Sequence, residues 1–166
     1  MEESDIQIRA VRLSDAAAIA EIYHHYVTET TVSFELEPPT VEQMQERIRS
    51  ISKAHPYYVC EQAGRILGYC YVHPWKERQA YCHTMEVTIY LRPDAKGRKL
   101  GSRLMETLLA DCRRRGYRAL IACITEENTA SVAFHKRFGF EQVSCFKVVG
   151  QKFGRWLDVV DLELVL

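Results

Sequence analysis

The chain predicts a single α/β or α+β domain over residues 1–166, built on a mixed, mostly antiparallel sheet of about seven strands with helices on both faces. Three observations carry this. Short alternating apolar runs and helical apolar stripes follow one another in the order β, α, α, β, β, β, α, β, α, β, β. Ala63-Gly64 and Gly154 within QKFGR mark tight connections that fold neighbouring runs back as antiparallel hairpins. At 166 residues, 47% hydrophobic and 27% charged, the chain has the makings of one core and no linker that would divide it.

Each element has a local reason. Ile6 to Arg12 is a short strand-like run ending at Ser14-Asp15, which suits a helix cap. Ala16, Ile19, Ala20, Ile22, Tyr23, Tyr26 and Val27 form a helical stripe from Ala16 to Thr28, and TETTVSFELEPPT then loses the period and reads as a surface loop. Thr40 with Gln43 is a capping-box pair ahead of Met44, Ile48 and Ile51, so a second helix is expected from Val41 to Lys53, stopped by His55-Pro56. Tyr57 to Gln62 and Arg65 to Val72 form the first hairpin. His73-Pro74-Trp75 breaks the ladder, and Ala80 to Leu91 is long enough for a strand with a bend near Glu86. Leu100 to Arg115 is a third helix ended by Gly116, and Ala119 to Ile124 is a short buried strand. Asn128 or Thr129 caps a fourth helix through Arg137, closed by Gly139, before the last strands, Glu141 to Val149 and Trp156 to Val165.

Composition excludes several classes. Lys plus Arg and Asp plus Glu balance at 22 each, so nothing calls for nucleic acid or an anionic membrane as a main partner. The opening MEESDIQIRA is acidic with no apolar segment, and no run approaches the roughly 18 apolar residues of a membrane span; the expected location is cytoplasmic. Six cysteines are scattered without a CxxC pair and read as small core residues, with no disulfide framework and no metal site.

The most informative stretch is Met85 to Thr107, a strand, a basic glycine turn and the start of an amphipathic helix. Gly97 and Gly101 allow close backbone approach, and Lys96, Arg98, Lys99 and Arg103 add positive charge beside a helix N-terminus, so the expected guest carries phosphates. A Walker-type nucleotide loop fits less well, because Gly97 to Gly101 is too short a span. KGRKLG before a Leu-rich helix resembles the acetyl-CoA pyrophosphate loop of the GCN5-related N-acetyltransferase (GNAT) superfamily. That loop usually reads Arg or Gln, two residues, Gly, one residue, then Gly or Ala. Lys96 stands at the first of these positions, Lys99 at the first Gly, and Gly101 matches the last. NTASVAFHKRFGF, Asn128 to Phe140, is similar to a second motif of that family, and the element order is the family's own.

The resemblance implies an acyl-CoA N-acyltransferase fold. Acetyl-CoA would lie along Thr88, Ile89 and Tyr90, where the fourth and fifth strands part, with its pyrophosphate on Lys96, Gly97, Arg98, Lys99, Leu100 and Gly101. A parted strand edge offers N–H and C=O groups to an amide-bearing ligand. Asn128 is read either as a plain helix cap or as a ligand of the cofactor arm. The reaction needs a neutral amine, and Glu86 is the implied general base; its alternative is an ordinary ion pair or solvent contact. Many relatives carry a tyrosine acid where this chain has His135, which is read as a surface histidine on a basic helix face or, alternatively, as the proton donor.

VSFE (Val32 to Glu35), His73 to Leu91 and VGQKFGRWLDV (Val149 to Val159) resemble the phosphinothricin and methionine sulfone or sulfoximine acetyltransferase subgroup. That implies an acceptor pocket walled by Phe34 and Trp75, a carboxylate clamp at Arg78, Tyr81 or Lys152 nearby, Glu86 and Val87 also among the substrate-binding residues, and a homodimeric assembly. Phe34, Trp75 and Trp156 also read as ordinary packing and Arg78 as a solvated charge. The competing functions are acetylation of a polyamine, aminoglycoside or protein N-terminus, or a CoA-binding module without chemistry.

Overall fold

The computed structural model describes residues 5–166, so the first four residues of the acidic N-terminal run lie outside the described residues. The elements are β1 (Ile6–Ala10), a 3₁₀ turn at Leu13–Asp15, α1 (Ala16–Glu29), α2 (Val41–Ser52), β2 (Tyr57–Gln62), β3 (Arg65–Pro74), β4 (Thr84–Leu91), α3 (Leu100–Arg114), β5 (Ala119–Thr125), α4 (Thr129–Arg137), β6 (Glu141–Lys152) and β7 (Arg155–Val165). The strands form one seven-stranded sheet in the order β1-β2-β3-β4-β5-β7-β6. β4 and β5 are parallel, as a crossover through α3 requires, while β1–β2, β2–β3, β5–β7 and β6–β7 are antiparallel.

The chain falls into two compact units. The first holds Met1–His24, Pro39–His73 and Thr88–Arg115; the second holds His25–Pro38, Pro74–Val87 and Gly116–Leu166. The division therefore falls inside β4, between Val87 and Thr88.

In the first unit, α3 buries Leu100, Leu104, Met105 and Leu108 completely. Each such side chain contributes about 2 kcal/mol through removal from water. Asp111 on the same helix is 3% exposed and accepts from the Tyr58 hydroxyl at 2.7 Å and from Arg115 Nε at 3.1 Å. Thr40 caps α2 through the expected reciprocal pair with Gln43. Asp15, also buried, accepts from the two terminal Arg9 guanidinium nitrogens at 2.9 and 2.8 Å and from the Arg12 N–H at 2.7 Å, fixing the corner between β1 and α1. In the second unit, Leu120, Ala122, Val160, Leu162 and Phe140 form the core.

Two expectations from the sequence are corrected here. The long run before Leu91 is not one strand. Gln79–Tyr81 forms a 3₁₀ turn, with the Tyr81 and Cys82 N–H groups closed onto Arg78 and Gln79, and β4 begins only at Thr84. The cysteines are not uniformly core: Cys60, Cys70 and Cys112 are buried, whereas Cys82, Cys123 and Cys145 are exposed. The last hairpin turns at Phe153-Gly154, both at positive φ, and β6 runs on to Lys152 past a register shift between Phe146 and Gly150.

Candidate active site

The glycine turn ahead of α3 is held open by backbone geometry. Gly97 has φ 80° and Lys99, the residue at the N-cap of α3, has φ 59° and ψ 15°. The left-handed region is where a glycine fits without penalty, so Lys99 occupies a glycine's conformation at a cost of about 1 kcal/mol. Lys99 also supplies no side-chain cap, so the N–H groups of the first turn of α3 stay available to an anion. A cleft of about 570 Å³ opens here, lined by Ile6, Gly97, Arg98, Lys99, Ser102, Arg103 and Glu106. Two of its cations are braced: Arg98 donates to Gln62 Oε1 at 2.8 Å and Arg103 to the Ile6 carbonyl at 3.0 Å. Leu100 and Gly101 are buried and anchor the helix start rather than lining the cleft.

On the last turn of β4, Thr88, Ile89 and Tyr90 are each half-buried. The Tyr90 ring lies between Tyr23 and Tyr69, with centroids at 5.4 and 5.6 Å, which fixes its direction and with it the backbone of this stretch. The register between β4 and β5 runs over Thr84, Met85 and Glu86 against Ala119, Leu120 and Ile121.

In the second unit Glu86 is half-buried, beside Met85 and Val87, which are buried. Glu86 faces the same side of the sheet as Cys123, two residues beyond its partner Ile121. Desolvation first, then the carboxylates of Asp161 and Glu86, push the Cys123 thiol up to about 12, so this exposed cysteine stays a thiol and not a nucleophile. Trp75 and Tyr81 meet edge to face at 5.5 Å, and Lys76, which the sequence reading passed over, places its ammonium 4.2 Å above the Trp75 ring. Arg78 is exposed at the start of the 3₁₀ turn. Phe34 is 39% exposed.

One assignment changes. His135 is no surface histidine: it is 3% exposed, its Nδ1 lies 2.8 Å from the Ser131 carbonyl, and its ring packs edge-on against Phe134 and Phe140. Burial lowers its pKa, offset in part by the Ser131 carbonyl, so the neutral ring is favoured and imidazolium donation is disfavoured. Lys152, expected near the acceptor, is 3% exposed and donates to the Ser33 carbonyl at 2.6 Å. Asn128 does cap α4, its Oδ1 accepting from the Ser131 N–H at 3.3 Å. Among the described residues no group of His, Cys, Asp and Glu is placed to hold a metal ion.

The sequence profile of the acetyltransferase (GNAT) domain matches residues 8–160. The chain belongs to the GNAT acetyltransferase family. A phosphinothricin N-acetyltransferase from Alcaligenes faecalis is 43% identical over 94% of this GNAT chain and 80% of its own length. An L-methionine sulfoximine/L-methionine sulfone acetyltransferase from Pseudomonas aeruginosa is 33% identical over 96% of this chain and 94% of its own. Among solved structures, a GNAT phosphinothricin acetyltransferase from Sinorhizobium meliloti in complex with acetyl-CoA superposes with TM-score 0.94 at 33% identity, covering 98% of this chain and 89% of that one. An N-acetyltransferase from Staphylococcus aureus gives TM-score 0.95 at 31% identity over 98% and 99%.

Proposed function

We propose that this GNAT chain, acting as one catalytic domain, transfers an acetyl group from acetyl-CoA to the amino group of a small amino acid or analogue such as phosphinothricin, methionine sulfoximine or methionine sulfone. The observation that carries the reading is the 43% identity, over 94% of the chain, to a phosphinothricin N-acetyltransferase. The local geometry supports the donor half: uncapped N–H groups at the start of α3, the left-handed turn at Lys99 and the surrounding cations suit a pyrophosphate. In this reading Lys96 through Gly101 hold the pyrophosphate, Thr88 through Tyr90 pair with the amides of the pantetheine arm, and Asn128, whose Oδ1 is used as a cap, keeps an amide nitrogen to offer as a donor.

Glu86 takes a proton from the ammonium form of the acceptor, directly or through water. The freed lone pair attacks the thioester carbonyl, the tetrahedral adduct collapses as the carbon–sulfur bond breaks, and the second amine proton passes to the departing thiolate directly or through water, so that the amide and the CoA thiol leave. Phe34, Trp75 and Val87 wall the acceptor, Arg78 pairs with its carboxylate, and Tyr81 braces Trp75. His135 holds α4 in place in this account and moves no proton.

The reading includes a cytoplasmic location, supported by six free cysteines, as expected in a reducing compartment. It also includes a homodimer, supported by β6, an edge strand on which Val143, Phe146, Val148 and Val149 are each at least half exposed. The test of function is thiol release from acetyl-CoA with phosphinothricin, methionine sulfoximine, methionine sulfone, spermidine and an N-terminal peptide offered separately. Turnover confined to the first three is expected; turnover with spermidine or the peptide alone would replace the amino-acid reading.

A further inference from the structure

The loop between α1 and α2 is fastened by several contacts to residues distant in sequence. Thr125 Oγ1 donates to the Thr31 carbonyl at 2.7 Å. The Thr31 hydroxyl donates to Glu127, and Arg155 holds that carboxylate with two nitrogens at 3.1 and 2.9 Å. Two residues on, Ser33 is 5% exposed, and its carbonyl is the acceptor for the buried Lys152 ammonium at 2.6 Å. Phe34 then lies over Gly150: a Cβ built on Gly150 would stand 2.2 Å from Cε2 of the Phe34 ring and 2.8 Å from Cζ.

Gly150 and Lys152 share one face of β6, two residues apart, where β6 pairs with Leu157 and Arg155 of β7. They act on consecutive residues of the loop, one by a charged hydrogen bond to a peptide carbonyl and one by leaving room for a ring. Gly150 has no backbone need to be glycine, because its φ lies outside the left-handed region. Lys152 has no solvent role, because it is buried. The Phe153 ring lies 5.2 Å from this ammonium and the Glu35 carboxylate favours its charge, but the hydrogen bond it makes goes to the loop carbonyl, and burying an ammonium for that bond is costly unless it fixes something.

We propose that Gly150 and Lys152 are positioning residues for the acceptor amine: Lys152 pins the Ser33 peptide, and the bare Cα of Gly150 seats the Phe34 ring, so this end of β6 sets where the acceptor-facing wall stands. This rests on the reading of Phe34 as a wall of the acceptor pocket. The chemistry at the other end of the substrate is untouched by either residue. Replacing them therefore alters acceptor binding and selectivity and leaves donor binding alone.

The experiment uses the full chain as wild type, Lys152→Met, Gly150→Ala, Phe34→Ala and the Gly150→Ala/Phe34→Ala double variant, with kcat and KM measured for acetyl-CoA and for each amine the wild type acetylates. For Lys152→Met and Gly150→Ala the expected result is an acceptor KM raised about tenfold, with the acetyl-CoA KM within about twofold of wild type. In the Phe34→Ala background Gly150→Ala is expected to add nothing, since no ring remains to be displaced. Hydrogen exchange of the peptide covering residues 31–36 reads the seat without any acceptor, and Lys152→Met is expected to speed it. Unchanged exchange, an unchanged acceptor KM in the folded single variants, or an equal effect of Gly150→Ala with and without Phe34 would overturn the proposal. A wild type that acetylates no amino-acid analogue would overturn the reading of function, while the exchange result still judges the seat.

Discussion

Two residues show how a single side chain departs from its motif for a physical reason. Lys99 sits in a left-handed conformation where the family's pyrophosphate loop usually has glycine, and its φ of 59° makes the replacement strained. Lys99→Gly is expected to raise stability by about 1 kcal/mol, a Tm gain of about 3 °C for a chain of this size. A thermal melt checks it, and a fall in Tm would show that the lysine side chain contributes more than its backbone costs. His135 is the opposite case, a residue whose surroundings remove the chemistry its type suggests. Its folded pKa lies below the unfolded value near 6.5, so below that pH the unfolded chain takes up a proton that the folded chain refuses. The neutral ring's contribution is fully present above about pH 6.5 and is lost as pH falls through that value toward the folded pKa. Accordingly, the stability advantage of wild type over His135→Gln is expected to shrink between pH 7.5 and 5.5, while the pH dependence of kcat keeps its shape. A kcat profile that loses one limb in the variant would restore a proton-transfer role. Nothing in the sequence announced the burial of His135, because α4 carries His135, Lys136 and Arg137 in succession and reads as basic all round its last turn.

At the scale of elements, α3 carries the account, since its N-terminus faces the cleft and its C-terminal turn is locked by Asp111. Burial alone would raise the Asp111 carboxyl; the Tyr58 hydroxyl and the Arg115 guanidinium outweigh it and hold it below the ordinary carboxylate range. A carboxylate depressed in this way stabilises the fold above its unfolded pKa near 4 and loses that contribution as pH falls through the folded value. Asp111→Ala is expected to cost roughly 2 kcal/mol at neutral pH, because Tyr58 loses its acceptor, and to flatten stability against pH below about 4. Equal acid sensitivity of the two proteins would assign the linkage elsewhere, with Asp15 the next carboxylate to examine. Elements whose pattern is local were legible in the sequence: the Thr40 and Gln43 cap, the Ala63-Gly64 hairpin and α3 stand where their residues placed them. Elements shaped by partners distant in sequence were not. The 3₁₀ turn at Gln79–Tyr81 replaced the start of a strand, and β6 ran on to Lys152 because β7 pairs with it as far as Arg155.

For the whole molecule, the basic glycine turn proposed to hold the cofactor was legible from glycines and cations close together in the chain, and it falls within one compact unit. The side proposed for the acceptor was less so. Phe34, Trp75 and Tyr81 could be named, but the seat of Phe34 on Gly150 joins positions more than a hundred residues apart, which no local pattern reports. Exposure of Val143, Phe146, Val148 and Val149 along one edge strand is the observation behind the proposed homodimer. Sedimentation of the wild type is expected to give a dimer, and Val149→Glu to shift it toward monomer with secondary structure kept; a monomeric wild type at working concentrations would remove the partner subunit from the account. The most direct test of acetyl transfer through Glu86 is the pairing of thiol release with mass detection of the N-acetyl product on methionine sulfoximine, for wild type and Glu86→Gln. The expected result is one product per thiol in the wild type, and in the variant a rate lower by about a hundredfold or more with acetyl-CoA affinity unchanged. Acetyl-CoA bound by both proteins with no amine consumed by either would contradict it and leave a CoA-binding module in place of an enzyme.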